Sequence, residues 1–456
     1  MDYVSTRGTA ARRSFSDILL SGLASDGGLA MPVEWPELDP ARFAKLTYAQ
    51  AAYEVLSAFT GDAFTTRELR ADVTAAYSGF DDPAIAPLTA LGNERYLLEL
   101  FHGPTLAFKD IAMRVLARLF ARSLAKRGGK ATIVAATSGD TGSAAIAAFG
   151  GLPQITLFVL HPKGRISEVQ RRQMTTAEFA NVHNIALEGT FDDAQTIVKA
   201  LFADEAFASD ASLTAVNSIN FARIAAQIVY YFTASAQLGR PPVFVVPTGN
   251  FGDVFAGDAA RRMGSPIRGL VIATNENDIL VRALRDGVYE PGDARHTLSP
   301  SMDIQVASNF ERALFEASSR DTAWVTRAMK DFAGTRRMVL PKPILQDLRG
   351  RYPAYAISDE ETLTAISRTH ERHGRLIDPH TAVAMAAADR VSTDAPVVVL
   401  STAHPAKFPD AVRRACGATP ILPHRLQDLF EREEHFETLP ADIAKVRAFI
   451  ARRLAS

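Results

Sequence analysis

Four segments bring together residue types that could do chemistry. In the first, Phe101-His102-Gly103-Pro104-Thr105-Leu106-Ala107-Phe108-Lys109-Asp110, a lysine follows an apolar run and opens a helix. Leu106, Ala107 and Phe108 would draw the Lys109 ammonium toward the interior. Desolvation and a helix N-terminus both disfavour the charged form, leaving a better nucleophile and base. Schiff-base chemistry needs such a lysine, although most lysines are only surface charges. The second segment, Ala136-Thr137-Ser138-Gly139-Asp140-Thr141-Gly142-Ser143, lies between a strand and an alanine-rich helix. One hydroxyl would serve as an ordinary helix cap. Four hydroxyl residues beside free backbone N–H groups favour an anion. In the third, Pro247-Thr248-Gly249-Asn250-Phe251-Gly252-Asp253, two glycines would let the backbone close around a phosphate. Alone it is a weak motif, and a glycine turn explains it equally well. The fourth, Asn217-Ser218-Ile219-Asn220-Phe221-Ala222-Arg223, sets amides, a hydroxyl and a guanidinium close together. Arg223 could grip an anionic group through paired hydrogen bonds or form a plain surface salt bridge.

The elements that must position these segments alternate. Short apolar runs at 96–100, 132–136, 155–160, 182–187, 243–247, 270–274 and 397–401 read as strands. Helical spacing covers 109–126, 141–149, 192–203, 221–238, 251–262, 360–370 and 381–389. Strands that are apolar throughout and separated by helices indicate parallel sheets covered on both faces, an α/β fold. The chemical segments fall where such sheets bind ligands, at the carboxyl ends of strands. Residues 43–80 have helical periodicity broken at Gly61-Asp62, and Ser25 to Pro32 reads as turn chemistry. The first 93 residues therefore form a mostly helical unit.

Composition narrows the classes of function. The chain has 456 residues, enough for about three domains. With 47% hydrophobic and 22% charged residues it fits a globular protein with a sizeable core. Its net charge of -1 gives no global field for nucleic acid or an anionic membrane. A lone cysteine, Cys416, excludes a disulfide scaffold and suits the cytoplasm. The N-terminus lacks the apolar core of a signal peptide, and the most apolar stretch, 144–160, is broken by Gly150-Gly151-Leu152-Pro153. His373 and His380 cannot share a helix turn, so no zinc site is expected. A dinucleotide enzyme would need the Gly-x-Gly-x-x-Gly turn, which is missing.

A buried lysine, a glycine phosphate loop and a hydroxyl-rich anion loop together point to pyridoxal phosphate. At that point the sequence resembles the threonine synthase family, of the type found in enteric bacteria and yeast. The resemblance covers nearly the whole chain in order: Tyr3 with Ser5 to Gly8, Asp26 to Leu29, the 101–110 and 137–142 segments, Gly164 to Ser167 and Gly189 to Asp193. It continues through 217–223, 249–253, Pro300 to Ile304 and Ser401 to Phe408. Because the family motif begins at Tyr3, no cleavable targeting segment is expected.

The resemblance implies fold type II (tryptophan synthase β-like) with a helical N-terminal domain at 1–93. A large cofactor domain would occupy 94–129 and 241–456, with a small inserted α/β domain at 130–240. It implies a lyase of cytoplasmic threonine biosynthesis that acts on O-phospho-L-homoserine, as a monomer or homodimer. Lys109 would hold the cofactor and be the catalytic base. Gly249, Asn250, Phe251, Gly252 and Asp253 would surround its phosphate, Thr402 its pyridine nitrogen, and Asp140 would lie beside it. Thr137, Ser138, Thr141, Asn217, Ser218 and Arg223 would bind substrate. The runner-up within this cofactor class is a hydroxy-amino-acid dehydratase, against which the 217–223 segment and the N-terminal unit argue.

Overall fold

All seven apolar runs become strands, distributed over two sheets, in the computed structural model of the chain, which describes residues 1–214 and 216–455. The larger sheet runs in the order Ala354–Ala356, Gly269–Thr274, Val243–Pro247, Val397–Ser401, Arg95–Glu99 and Leu88–Gly92. Its pairings are parallel except the last, where Leu88–Gly92 lies antiparallel to Arg95–Glu99. The smaller sheet is parallel, in the order Glu437–Pro440, Val182–Glu188, Ile155–Pro162, Ala131–Ala136 and Leu213–Thr214. Val243–Pro247 and Val397–Ser401 are buried along their whole length, which is why each is an unbroken apolar run.

The N-terminal unit contains the two expected helices, Tyr48–Thr60 and Thr66–Tyr77. Each starts with a capping box, Thr47 with Gln50 and Thr65 with Glu68, satisfying N–H groups that the helix leaves open. Their apolar faces pack against the helices Phe221–Leu238 and Lys109–Arg127. The stretch read as turn chemistry ends in a short strand, Ala30–Pro32, antiparallel to Tyr3–Ser5.

Two segments depart from the expected division. Phe221–Leu238, assigned by sequence to the inserted 130–240 unit, packs against Gly252–Arg262 and joins the main core. It is apolar nearly all round and needs cover on every side. The end of the chain, assigned to the larger unit with 241–456, crosses to the smaller sheet instead. There Glu437–Pro440 pairs with Val182–Glu188, and Val446, Phe449 and Ile450 of the helix Ile443–Ala455 enter the small core. Among the described residues no helix is long and apolar enough to cross a membrane.

Candidate active site

Lys109 is placed by the pairing of two strand ends. Arg95–Glu99 lies parallel to Val397–Ser401, and the chains stay zipped beyond the sheet. Phe108 N donates to Thr402 O at 2.9 Å, His404 N donates to Leu106 O at 3.0 Å, and Ala107 bridges Ala403. Thr402 thereby lies beside the residue preceding Lys109. Leu106 takes φ +62°, a left-handed conformation costly for a branched side chain and often found at working sites. Gly103 has no alternative, because a Cβ there would meet the Asp110 carboxylate at 2.5 Å. That carboxylate receives Thr105 N at 2.8 Å and Thr105 Oγ at 2.7 Å, which fixes the turn.

Lys109 is 8% exposed at the first position of its helix. Burial lowers its pKa; Asp140 opposes this, while Lys407 and Arg223 add to it. The nearest carboxylate oxygen is Asp140 Oδ2, 3.3 Å from Nζ. Asp140 opens the helix Asp140–Phe149 at the end of Ala131–Ala136, so the smaller sheet supplies the counter-charge for a lysine held by the larger. Its Oδ1 also accepts from Lys407 Nζ and Gln170 Nε2, both at 2.8 Å, and Oδ2 from Ser301 Oγ at 3.2 Å. Burial alone would raise the Asp140 pKa, but Lys407, Lys109 and His380 outweigh it and hold the group well below the usual range.

The hydroxyl-rich loop has divided labour. Thr137 Oγ1 accepts from Gly139 N at 2.9 Å and Gly142 N at 2.8 Å, so this oxygen shapes the loop. A Cβ at Gly142 would meet Thr137 Cγ2 at 2.5 Å and Met174 Sδ at 2.6 Å. Ser138 and Thr141 are half-buried.

The third and fourth segments are joined by a residue that the sequence did not announce. Asn309, fully buried, donates to Asn250 O from both N and Nδ2 at 3.1 Å, and from Nδ2 to Ser218 O at 3.1 Å. Arg312 fixes Asn309 by bonding its Oδ1 and reaches Ile219 O at 2.7 Å. Asn217 Oδ1 accepts from Ile219 N at 3.2 Å, tightening the same segment. Phe251, at φ +66°, leads into the helix Gly252–Arg262 with no side-chain cap. The first-turn N–H groups of that helix are thus left to an outside acceptor. A Cβ at Gly249 would lie 3.1 Å from Ser301 O and Ile304 Cγ1, so only glycine fits without moving that strap.

Two polar groups remain unsatisfied at this end of the site. Arg223 is 5% exposed, its Nε has no partner, and burial lowers its pKa to about 10. Among the described residues no carboxylate pairs with it. An isolated buried guanidinium is costly unless an anion completes it. Asp253 faces Tyr230 and Tyr231 Oη, the latter at 2.9 Å, and its Oδ2 has no partner. Burial raises its pKa to about 6 despite the two tyrosine bonds, which lower it. Its carboxyl group therefore anchors the start of the helix against Phe221–Leu238.

A buried lysine amine, an uncapped helix start with glycine behind it, a threonine at the neighbouring strand end and an unpaired guanidinium fit a phosphorylated aldehyde cofactor and an anionic substrate. Sequence reasoning missed Lys407, Ser301, Gln170, Asn309 and Arg312. Two of these, Ser301 and Lys407, lie in segments already singled out, but their contacts with Asp140 span 161 and 267 residues. His102, in the same segment as Lys109, pairs with Glu99 Oε2 at 2.9 Å.

The chain matches three family profiles in succession. These are "Threonine synthase N terminus" over residues 2–77, "Pyridoxal-phosphate dependent enzyme" over 84–342 and "Threonine synthase, C-terminal" over 381–450. It is 47% identical to a threonine synthase of Pseudomonas aeruginosa, covering 99% of this chain and 98% of the relative. A crystal structure of threonine synthase from Brucella melitensis with bound pyridoxal phosphate superposes with a TM-score of 0.97 at 48% identity, covering 100% of both chains. The yeast threonine synthase structure gives 0.94 at 36% identity, covering 100% of this chain and 99% of that one.

Proposed function

The chain belongs to the threonine synthase family, and from that premise we propose that it converts O-phospho-L-homoserine and water to L-threonine and phosphate. It is a pyridoxal-phosphate-dependent enzyme of fold type II, a carbon–oxygen lyase acting on phosphates. The observation that carries the substrate reading is Arg223, a buried guanidinium without a counter-ion. A phosphate ester in the same cleft would complete it, through charge-assisted bonds worth about 1.5–3 kcal/mol.

In this reading Lys109 holds the cofactor. Gly249, Asn250, Phe251, Gly252 and Asp253 form the end of the site that takes its phosphate, with Thr402 and Asp140 at the ring. When bound, the cofactor supplies an electron sink for the substrate's carbon skeleton. Lys109 Nζ, disfavoured as an ammonium by burial, takes the proton from Cα and later returns one there. A Cβ proton is lost as phosphate leaves Cγ, a proton is then delivered to Cγ, which becomes the methyl group, and water adds its hydroxyl at Cβ. Lys109 is the base in reach for these transfers. Ser138, Thr141 and the N–H groups at the start of Asp140–Phe149 suit the substrate carboxylate, with Thr137 shaping their loop. Arg223, with Asn217 and Ser218, receives the departing phosphate.

The domain division follows the two sheets, with Phe221–Leu238 joining the larger unit and 437–455 accompanying the smaller one. A cytoplasmic location fits the single cysteine. Arg223→Ala tests the substrate assignment. We expect KM for O-phospho-L-homoserine to rise about tenfold to a hundredfold with cofactor content unchanged. Loss of cofactor instead would place Arg223 at the cofactor phosphate and overturn this assignment.

A further inference from the structure

Lys407 has no part in the mechanism above, yet its position is unusual for a lysine. It is 0% exposed, at the end of the short 3-10 turn Pro405–Lys407. Lysines are almost never fully buried unless paired. Its Nζ donates to Thr105 O at 2.7 Å and to Asp140 Oδ1 at 2.8 Å. One side chain thus ties three loops: the turn before Lys109, the start of Asp140–Phe149 and the segment after Thr402.

A tie alone does not need a charge. Gln170 Nε2 reaches the same carboxylate oxygen at 2.8 Å as a neutral donor. What the ammonium adds is competition, because Lys109 Nζ sits 3.3 Å from the other oxygen of the same carboxylate. Two cations share one anion, and Arg223 brings a third positive charge to the cleft. We propose that Lys407 is a positioning residue which, by sharing the Asp140 carboxylate, keeps Lys109 available as the free amine for cofactor attachment and proton transfer. The inference rests on the reading that Lys109 is the reactive lysine.

The groups around the pair all bear on this. Lys109 faces Asp140, Lys407, Arg223 and the buried Asp253 carboxyl. Asp140 meets Lys407, Lys109, Gln170 and Ser301, with His380 adding positive potential when protonated. The His380 ring accepts Ser301 N at Nε2, 3.2 Å away, and therefore donates its Nδ1 proton to Asp378 Oδ2 at 2.7 Å. Taking away Lys407 would direct the Asp140 charge at Lys109 and hold it as the ammonium. Opposite charges at such range move a pKa by about 1–3 units.

The test follows attachment of pyridoxal phosphate to the full-length chain freed of cofactor, over a series of pH values. The adduct is trapped with borohydride and located by mass spectrometry, so the readout is separate from turnover. For Lys407→Met the midpoint of the rate profile should move up by about one to two pH units. Attachment at neutral pH should slow about tenfold or more. Lys407→Gln keeps a donor for Thr105 O, and it should show the same shift even if the methionine variant folds poorly. In Lys407→Met with Asp140→Asn the carboxylate in contact with Lys109 is gone, and the midpoint should fall back to the wild-type value or below. Slowing by one factor at every pH, with the midpoint unmoved, would reduce Lys407 to a structural tie and overturn the proposal. A wild-type chain trapped at some other lysine would sink the functional reading itself.

Discussion

At the scale of single residues, the site is a problem of buried charge. Lys109 and Lys407 share the Asp140 carboxylate, which their charges hold ionised, while the nearby Arg223 has no counter-ion, and the excess of positive charge suits phosphorylated ligands. Asp253 is the exception, a carboxyl whose pKa is raised to about 6 from 3.8. The folded state binds this proton more tightly than the unfolded chain does. Its contribution to stability is complete at low pH and is lost as pH rises from about 4 through about 6. Asp253→Asn should therefore gain on the wild type across that window, by on the order of 2–3 kcal/mol at neutral pH. Thermal melts at a series of pH values check this; a stability difference that does not change with pH would contradict it. Lys109 and Arg223 were legible as chemistry because each sits at the start of a recognisable helix. Lys407 was not, since nothing local distinguishes a buried lysine from a surface one, and its partner Asp140 is distant in sequence.

At the scale of elements, the strands that carry the site were the easiest to read. Val243–Pro247 and Val397–Ser401 are covered on both faces, and their apolar runs have no alternative use. The edge strands Leu88–Gly92 and Ala354–Ala356 were missed because they are short and half-covered, with no apolar run to mark them. The helices 221–238 and 109–126 were found within a residue, but the covering of Phe221–Leu238 by the main core was not. Its assignment to the inserted unit followed chain order, whereas packing follows the apolar surface. Among the loops, Gly249 has the narrowest tolerance. Gly249→Ala would press a methyl group against Ser301 O and Ile304 Cγ1 at 3.1 Å. The strap that carries Ser301 to Asp140 must then shift. We expect cofactor affinity to fall about tenfold or more, for a misfit of about 1–3 kcal/mol, with the melting temperature of the cofactor-free protein little changed. Titration of the visible absorbance with added pyridoxal phosphate measures it.

At the scale of the whole molecule, distant parts of the chain are stitched across the site. Arg7 and Thr6 bond Glu311, with Arg7 Nη2 at 3.0 Å and Thr6 Oγ at 2.6 Å, so the N-terminal unit holds the turn that carries Asn309 and Arg312. Arg312 adds a bond to Ala30 O at 3.2 Å. At the other end, Glu437–Pro440 closes the edge of the smaller sheet. Removing residues 437–456 would expose the Val182–Glu188 edge and the apolar surface now covered by Val446, Phe449 and Ile450. Burying three such side chains is worth about 5–9 kcal/mol before losses. The shortened chain should melt at lower temperature and aggregate through the open edge, as light scattering during a thermal ramp would record. An unchanged melt would show that the smaller sheet does not depend on this segment. Near-neutral net charge, which excluded a global field for polyanions, is compatible with phosphate chemistry because the positive charge is confined to a few buried positions. The central claim is that this cleft both expels phosphate and adds water to the same carbon skeleton. Supplying O-phospho-L-homoserine to the cofactor-loaded protein, and measuring L-threonine and inorganic phosphate together, tests it most directly. Equal amounts of the two should appear; phosphate accompanied by ammonia and a 2-oxo acid, with no threonine, would contradict it.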